Sequence, residues 1–171
     1  KLSISFPTVE TEQPICYNYG SSQDSLVAYP FGFGLSYTKY KYDDLKIETP
    51  VVSTKGESVE FSFNLQNIGK RDGTEIVQVY LSPVDNPNLK PIQLKGFKRV
   101  TLLPNETKTV RGKIFMDQLA YYSKKLWNIA PGKYQIKVGA ASNDIRLVAE
   151  FEVKGKVVAK KYRKDLLSVI Q

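Results

Sequence analysis

Alternation is the clearest signal in this chain. Ser58-Val59-Glu60-Phe61-Ser62-Phe63-Asn64-Leu65 places polar and apolar side chains on opposite sides of an extended backbone without a break, which predicts a β-strand with one dry and one wet face. Residues 37–47, 74–81, 93–102, 107–115, 133–138 and 145–153 repeat the pattern, the third of these interrupted at Gly96. Between them lie turn formers: Asn67-Ile68-Gly69-Lys70-Arg71-Asp72-Gly73, Pro83 to Pro87, Leu103-Pro104-Asn105-Glu106, Ala130-Pro131-Gly132 and Ala141-Ser142-Asn143-Asp144. Seven or so short strands with hardly a helical period among them predict an all-β, immunoglobulin-like antiparallel sandwich. Each of its sheets is expected to keep one solvated face.

The two ends read differently. Residues 1–36 carry Pro7, Pro14 and Pro30, a polar run at 20–25 and then Tyr29-Pro30-Phe31-Gly32-Phe33-Gly34, a composition that predicts an extended arm and linker. Short apolar stretches at 3–6 and 15–19 are expected to pair with a segment outside the chain. At the other end Val158, Tyr162, Leu166 and Val169 or Ile170 recur at helical spacing between basic residues, which predicts a short basic amphipathic C-terminal helix or else a frayed tail. The expected division is therefore arm and linker 1–36, sandwich 37–154 and tail 155–171.

Charge changes this picture little. The 171 residues carry a net charge of +8, but Lys154, Lys156, Lys160, Lys161, Arg163 and Lys164 stand against Asp165 alone in the last 18 positions, so the body has an ordinary mixed surface. A basic tail of this kind is expected to be solvated or docked rather than bound to nucleic acid. No run approaches the 18 apolar residues of a membrane span, and no membrane partner is expected. The first residues lack the order of a signal peptide, and a start at Lys1 suggests a trimmed chain or a fragment.

Composition removes most catalytic chemistries. With no His and one Cys there is no imidazole base, no Ser-His-Asp triad, no Cys/His metal set and no internal disulfide. No metal or cofactor is expected. A carboxylate pair remains the chemistry to test, since two Asp or Glu about 5–10 Å apart suffice for glycoside hydrolysis. Asp43 and Asp44 would point to opposite faces of a regular strand, Glu57, Glu60, Glu75 and Glu106 fall in or beside alternating strands with a wet face, and Asp117 suits the cap of a single turn. No catalytic residue is assigned. Phe31 and Phe33 read as apolar anchors carried by a glycine-rich turn that lacks the Lys-Ser/Thr ending of a phosphate loop. Trp127 and most of the 11 Tyr are expected to fill the core or its corners, with a sugar-stacking surface through Tyr40 and Tyr42 or Tyr121 and Tyr122 as the competing reading. Cys16 reads as a small buried hydrophobe.

Tyr29-Pro30-Phe31-Gly32-Phe33-Gly34-Leu35-Ser36-Tyr37-Thr38 resembles the signature that joins the catalytic part of glycoside hydrolase family 3 enzymes to their C-terminal fibronectin type III-like domain. Four further blocks follow in the family's order: Glu75 to Leu81, Leu94 to Val100, Leu103 to Val110, and Trp127 through Arg146. Ile4-Ser5-Phe6-Pro7 and Pro14-Ile15-Cys16-Tyr17-Asn18 are similar to the end of the family's α/β sandwich domain. Gln93 and Asn105 depart from the residues common in the family, and the basic tail has no counterpart in the pattern. The resemblance implies a fibronectin type III-like antiparallel β-sandwich with an extended N-terminal arm. It also implies a non-catalytic accessory domain of a retaining β-glucosidase-like or β-xylosidase-like hydrolase, which packs on and stabilises catalytic domains upstream. In such enzymes an Asp nucleophile and a Glu acid/base act on a β-linked oligosaccharide, and both lie outside the matched blocks. Phe31 and Phe33 would then contribute an apolar rim near the substrate. A secreted or periplasmic parent is implied over a cytoplasmic one, and a homo-oligomer is left open. A glycan-targeting module and a stand-alone fibronectin-type interaction module are the alternatives.

Overall fold

The computed structural model describes residues 1–8, 27–84, 86 and 92–171. Among them the chain forms β1 (Phe6–Pro7), β2 (Val27–Tyr29), β3 (Tyr40–Ile47), β4 (Val51–Ser53), β5 (Ser58–Asn67), β6 (Gly73–Pro83), β7 (Gln93–Leu102) and β8 (Thr107–Phe115). A 3₁₀ turn (Met116–Leu119) follows, then β9 (Tyr121–Ser123), β10 (Leu126–Ile129), β11 (Gly132–Ala141), β12 (Asp144–Lys154), β13 (Val158–Lys160) and β14 (Val169–Ile170). Every segment expected from alternation is a strand. The predicted stretch 15–19, with Cys16, lies outside the described residues.

Two sheets stack into the sandwich. One has the order β4-β12-β11-β6-β7, the other β14-β8-β5-β3, and nearly all pairings are antiparallel, β4 on β12 being the parallel exception. Phe61, Phe63 and Leu65 of β5 face Val77, Val79 and Leu81 of β6 and Tyr134, Ile136 and Val138 of β11 in one continuous core. Burying each such side chain contributes about 1.5–3 kcal/mol, so the alternation seen along single strands becomes the main source of stability once the two dry faces meet. Stacked pairs Tyr42–Phe63 and Tyr134–Phe151 extend it to both ends. Tyr134 also donates its hydroxyl to the Ala130 carbonyl at 2.9 Å, tying the strand to the turn that enters it.

β6 departs from the expectation of one wet face per sheet. Gln78, Tyr80 and Ser82 point away from the core and are nonetheless buried. Gln78 is closed off by the loop Pro30 to Gly34, which lies across the outer side of the sheet. Within the chain the arm pairs with itself: β1 runs antiparallel to β2, Phe6 opposite Tyr29.

Two irregularities matter below. In β3 the register against β5 jumps between Asp43 and Lys46, and Asp44 takes a left-handed φ of 56°. Asp43 and Asp44 therefore do not sit on a regular strand; each pairs with a neighbouring lysine, Lys41 and Lys46, in solvent. In β7 Gly96 is opposite Val79 and Leu94 opposite Tyr80, which leaves Lys95 as the extra residue of a β-bulge.

The C-terminal tail is not helical. β13 adds antiparallel to β10, completing a small sheet of order β13-β10-β9, and β14 adds to β8 at the edge of the four-stranded sheet. Between them residues 161–168 cross the open side of the sandwich as a strap. A free helix of this length is marginal in water, and Lys156, Lys160 and Lys164 would repel one another at i, i+4 spacing. Open strand edges offer the same backbone donors better partners.

Asp117 holds the strap. Its buried carboxylate pairs with the Lys160 ammonium and accepts the Lys164 N–H at 2.6 Å and the Asp165 N–H at 3.4 Å. It does not cap the 3₁₀ turn as expected; Gln118 does that, its Oε1 accepting the Phe115 N–H at 3.0 Å. Burial alone would raise the Asp117 pKa, but Lys160 and the two backbone donors outweigh it and hold the carboxyl below its ordinary 3.8. A depressed carboxylate stabilises the folded strap above the ordinary value and loses that contribution as pH falls through the lower folded one. The protection factors of the Lys164 and Asp165 amides, their exchange rates relative to the intrinsic rate at the same pH, should thus be high at neutral pH and fall in acid. Asp117→Asn should bring the protection factors at pH 7 down toward their acid values, and equal protection in both proteins would refute the assignment.

Candidate functional site

The sequence motif 29–38 is the place to look, and its loop is held from both sides. Leu2 donates its N–H to the Phe33 carbonyl and accepts the Gly32 N–H, both at 2.8 Å, so the first residues pair with the loop. Across the seam the Ser142 N–H donates to the Phe31 carbonyl at 2.9 Å. Gln78 rises from β6 and donates Nε2 to the carbonyls of Gly32 (3.2 Å) and Ala140 (2.6 Å), while its Oε1 accepts the Tyr80 hydroxyl. Gly32 has φ +81°, and a Cβ there would lie 2.1 Å from Gln78 Oε1. Both the left-handed backbone and the close approach require glycine.

Phe31 and Phe33 are half-buried, and the Phe33 ring tilts against Tyr29 at 5.1 Å. They are anchors of this seam. Beside them the apolar side chains Ile4, Phe6, Tyr29, Leu35 and Tyr37 point outward, Leu35 at 92% and Tyr37 at 95% exposure. The loop is thus pinned on one side and greasy on the other.

Next to the loop lies a cavity of about 450 Å³ lined by Lys1, Tyr40, Tyr42, Glu75, Asp144 and Arg146 among others. It contains two carboxylates, which makes it the test of an acid pair. Lys1 Nζ meets Glu75 Oε1 at 3.1 Å and donates to the Ala140 carbonyl at 3.0 Å. Arg146 pairs with Asp144 through two of its three nitrogens, Nε to Oδ1 and Nη2 to Oδ2, the latter at 2.7 Å. Arg146 holds the Asp144 carboxyl below its ordinary range, burial opposing it in part. A general acid needs the opposite shift.

Tyr40 and Tyr42 share the inner face of β3, as their spacing requires, and both phenols are buried without a hydrogen-bond partner among the described residues. Burial, then Glu75, raises the Tyr42 pKa, and Arg146 lies over its ring at 5.8 Å. Burial also raises that of Tyr40, with the Ser36 hydroxyl close by as a partial offset. Neither ring is presented for stacking. Trp127 is covered too: the Arg163 guanidinium stacks 3.7 Å from its ring centre, and Tyr122 tilts against it at 5.2 Å.

Gln78 and Ala140 were not singled out by sequence, because their place in alternating segments reads as ordinary strand surface or core; Glu75, expected on a wet strand face, is instead buried against Lys1. No group of three or more His, Cys, Asp or Glu that could hold a metal occurs among the described residues.

Comparison with known proteins agrees with the order of these elements. Residues 75–142 match the model of the fibronectin type III-like domain. The chain is 37% identical over 144 residues to a beta-glucosidase of Kluyveromyces marxianus, covering 80% of this chain and 16% of that protein. It is 36% identical over 165 residues to a beta-xylosidase of Formosa agariphila, covering 87% and 22%. Among solved structures, beta-glucosidase 3B from Thermotoga neapolitana superposes with a TM-score of 0.75 at 33% identity, over 85% of this chain and 20% of that one. The chain therefore spans about a fifth of such relatives. The docked arm, the Pro-Phe-Gly linker and the two-sheet core, taken with these matches, make this chain a fibronectin type III-like region similar to the one carried by glycoside hydrolase family 3 proteins.

Proposed function

We propose that the chain is a non-catalytic accessory domain of a retaining β-glycosidase, and that it packs on the enzyme's catalytic domains and stabilises them. In this reading residues 37–154 are the sandwich, 1–36 an arm and linker continuous with a preceding α/β domain, and 155–171 a strap. One observation carries it: the loop 30–34 is fastened to the sandwich by Gln78, Ser142 and Leu2, yet Leu35 and Tyr37 beside it stand almost fully in solvent. A cluster of large apolar side chains on a rigid support is what an interface presents before its partner is in place. The catalytic domains of the same polypeptide, and through them a β-linked oligosaccharide, are the partners. Phe31 and Phe33 sit at the edge of that face and would form an apolar rim toward the substrate.

The double variant Leu35→Ser/Tyr37→Ser tests this. In the isolated 171-residue chain the melting temperature should not change, because neither side chain is packed. In the full polypeptide the same variant should lower it by several degrees, about 2–4 °C per kcal/mol for a domain of this size, together with aryl-glycoside turnover. An unchanged full polypeptide would remove the docking face.

A further inference from the structure

A second cavity, away from the arm, lies where the strap crosses β7. It is an open cleft of about 400 Å³ lined by Leu94, Lys95, Phe97, Gln118, Arg163 and Leu166, together with Gly96, Leu167 and Ser168. Two cations and several apolar side chains line it, and no carboxylate does. The bulge in β7 explains the first cation: as the unmatched residue, Lys95 is turned out of the strand's alternation and its amine enters the cavity. Lys95 Nζ donates to Gln93 Oε1 at 2.9 Å and to the Gln118 carbonyl at 2.6 Å, which leaves one of its three hydrogens. The Arg163 guanidinium carbon lies 3.7 Å from the Trp127 ring centre, a cation–π contact that consumes none of its N–H donors. Neither has an ion-pair partner among the described residues.

Partly buried cations without a counter-charge are costly to the folded chain, and two of them in one cavity add mutual repulsion. An anion relieves both. The walls specify its other half, since Phe97, Leu94, Leu166 and Leu167 are wasted on acetate or phosphate but fit a ring or short alkyl body. We propose that this cavity binds a small organic carboxylate, its anionic end between Lys95 and Arg163 and its apolar body against Phe97 and Leu166. Because Lys95 belongs to the sandwich and Arg163 to the strap, such a ligand fastens the strap. The site owes nothing to the arm and stands apart from the docking proposal.

Burial pushes the Lys95 pKa down to about 8, with Arg163 adding to the effect, so the amine is cationic at neutral pH and loses its proton not far above it. The other groups around it are Gln93 on its own strand, Gln118 on the 3₁₀ turn and Ser168 on the strap, all neutral. The nearest carboxylate on the turn, Asp117, is already committed to Lys160 and to the Lys164 and Asp165 amides.

The test titrates the 171-residue chain with 3-phenylpropanoate by calorimetry and by emission of Trp127, the single tryptophan, which reports on the guanidinium stacked on it. Saturable binding is expected, about tenfold tighter than for acetate, phosphate or the neutral 3-phenylpropanamide, since one charge-assisted pair or one buried ring is each worth about 1.4 kcal/mol or more. Lys95→Gln and Arg163→Gln should each weaken it by about tenfold, and amide exchange across 161–168 should slow on binding. Wild-type affinity should fall as pH rises through the Lys95 pKa, which serves as the charge test if either variant folds poorly. The proposal is overturned if the amide binds as tightly as the acid, if phosphate or acetate binds as tightly as 3-phenylpropanoate, if affinity is flat across that pH range, or if no saturable binding is seen.

Discussion

Asn67→Ala should lower the unfolding free energy by about 4 kcal/mol, read as a shift of the denaturant midpoint at constant slope. Asn67 is fully buried at the end of β5 and uses its whole side chain. Nδ2 donates to the carbonyls of Arg71 (2.7 Å) and Leu102 (3.2 Å), and Oδ1 accepts the Thr38 hydroxyl (2.6 Å) and the Gly69 N–H (3.0 Å). One residue thus joins the linker, the 67–73 turn and the end of β7. Alanine leaves several of these partners buried or half-buried with no replacement, at about 1–3 kcal/mol for each group water cannot reach. The loss should be larger than for Thr38→Ala, which removes a single bond from a half-exposed site. If the two variants melt together, Asn67 is not the hub its geometry describes.

Gly139→Val should be nearly as damaging, about 3 kcal/mol, for a steric reason. A Cβ at Gly139 would lie 2.2 Å from the Asp144 carbonyl oxygen and 2.9 Å from the Ile145 Cα. Both are backbone atoms of the paired strand, at a point where the β11–β12 register already shifts, so relief requires parting the hairpin. Gly132 is the control. It has φ +143°, but a Cβ there would meet nothing within 4 Å, so Gly132→Ala carries conformational strain alone. That strain should cost about 1 kcal/mol. Thermal melting of the two variants separates the effects, and a Gly139 variant as stable as the Gly132 one would contradict the packing argument.

Alternation made the sandwich legible because a side-chain period of two has one reading, and strands β5, β6, β8, β11 and β12 appear where that pattern runs. The tail shows the limit of the same logic. Val158, Tyr162 and Leu166 satisfy a helical period, but a period states which residues could share a face and says nothing of competing partners. Here the edges of β10 and β8, together with the Asp117 carboxylate, took the backbone donors a helix would have used. Gln78 shows the limit on the sandwich itself. It alternates with valines and so reads as solvated, yet the loop 30–34, more than forty positions earlier, lies over it.

Charge in the second cavity was hidden for a related reason. Lys95 sits in a strand whose regular pairing would send it to solvent, and only the single-residue slip opposite Val79 and Tyr80 turns it inward. The order of residues along the chain was enough to set the all-β class, the two dry faces and the glycine at position 32, since these follow from local sterics and from apolar area seeking cover. Which outer surfaces are hidden, which carboxylate anchors the strap and which cations are left without a counter-charge were decided by contacts between distant segments. Such contacts depend on three-dimensional proximity, and linear spacing does not encode it.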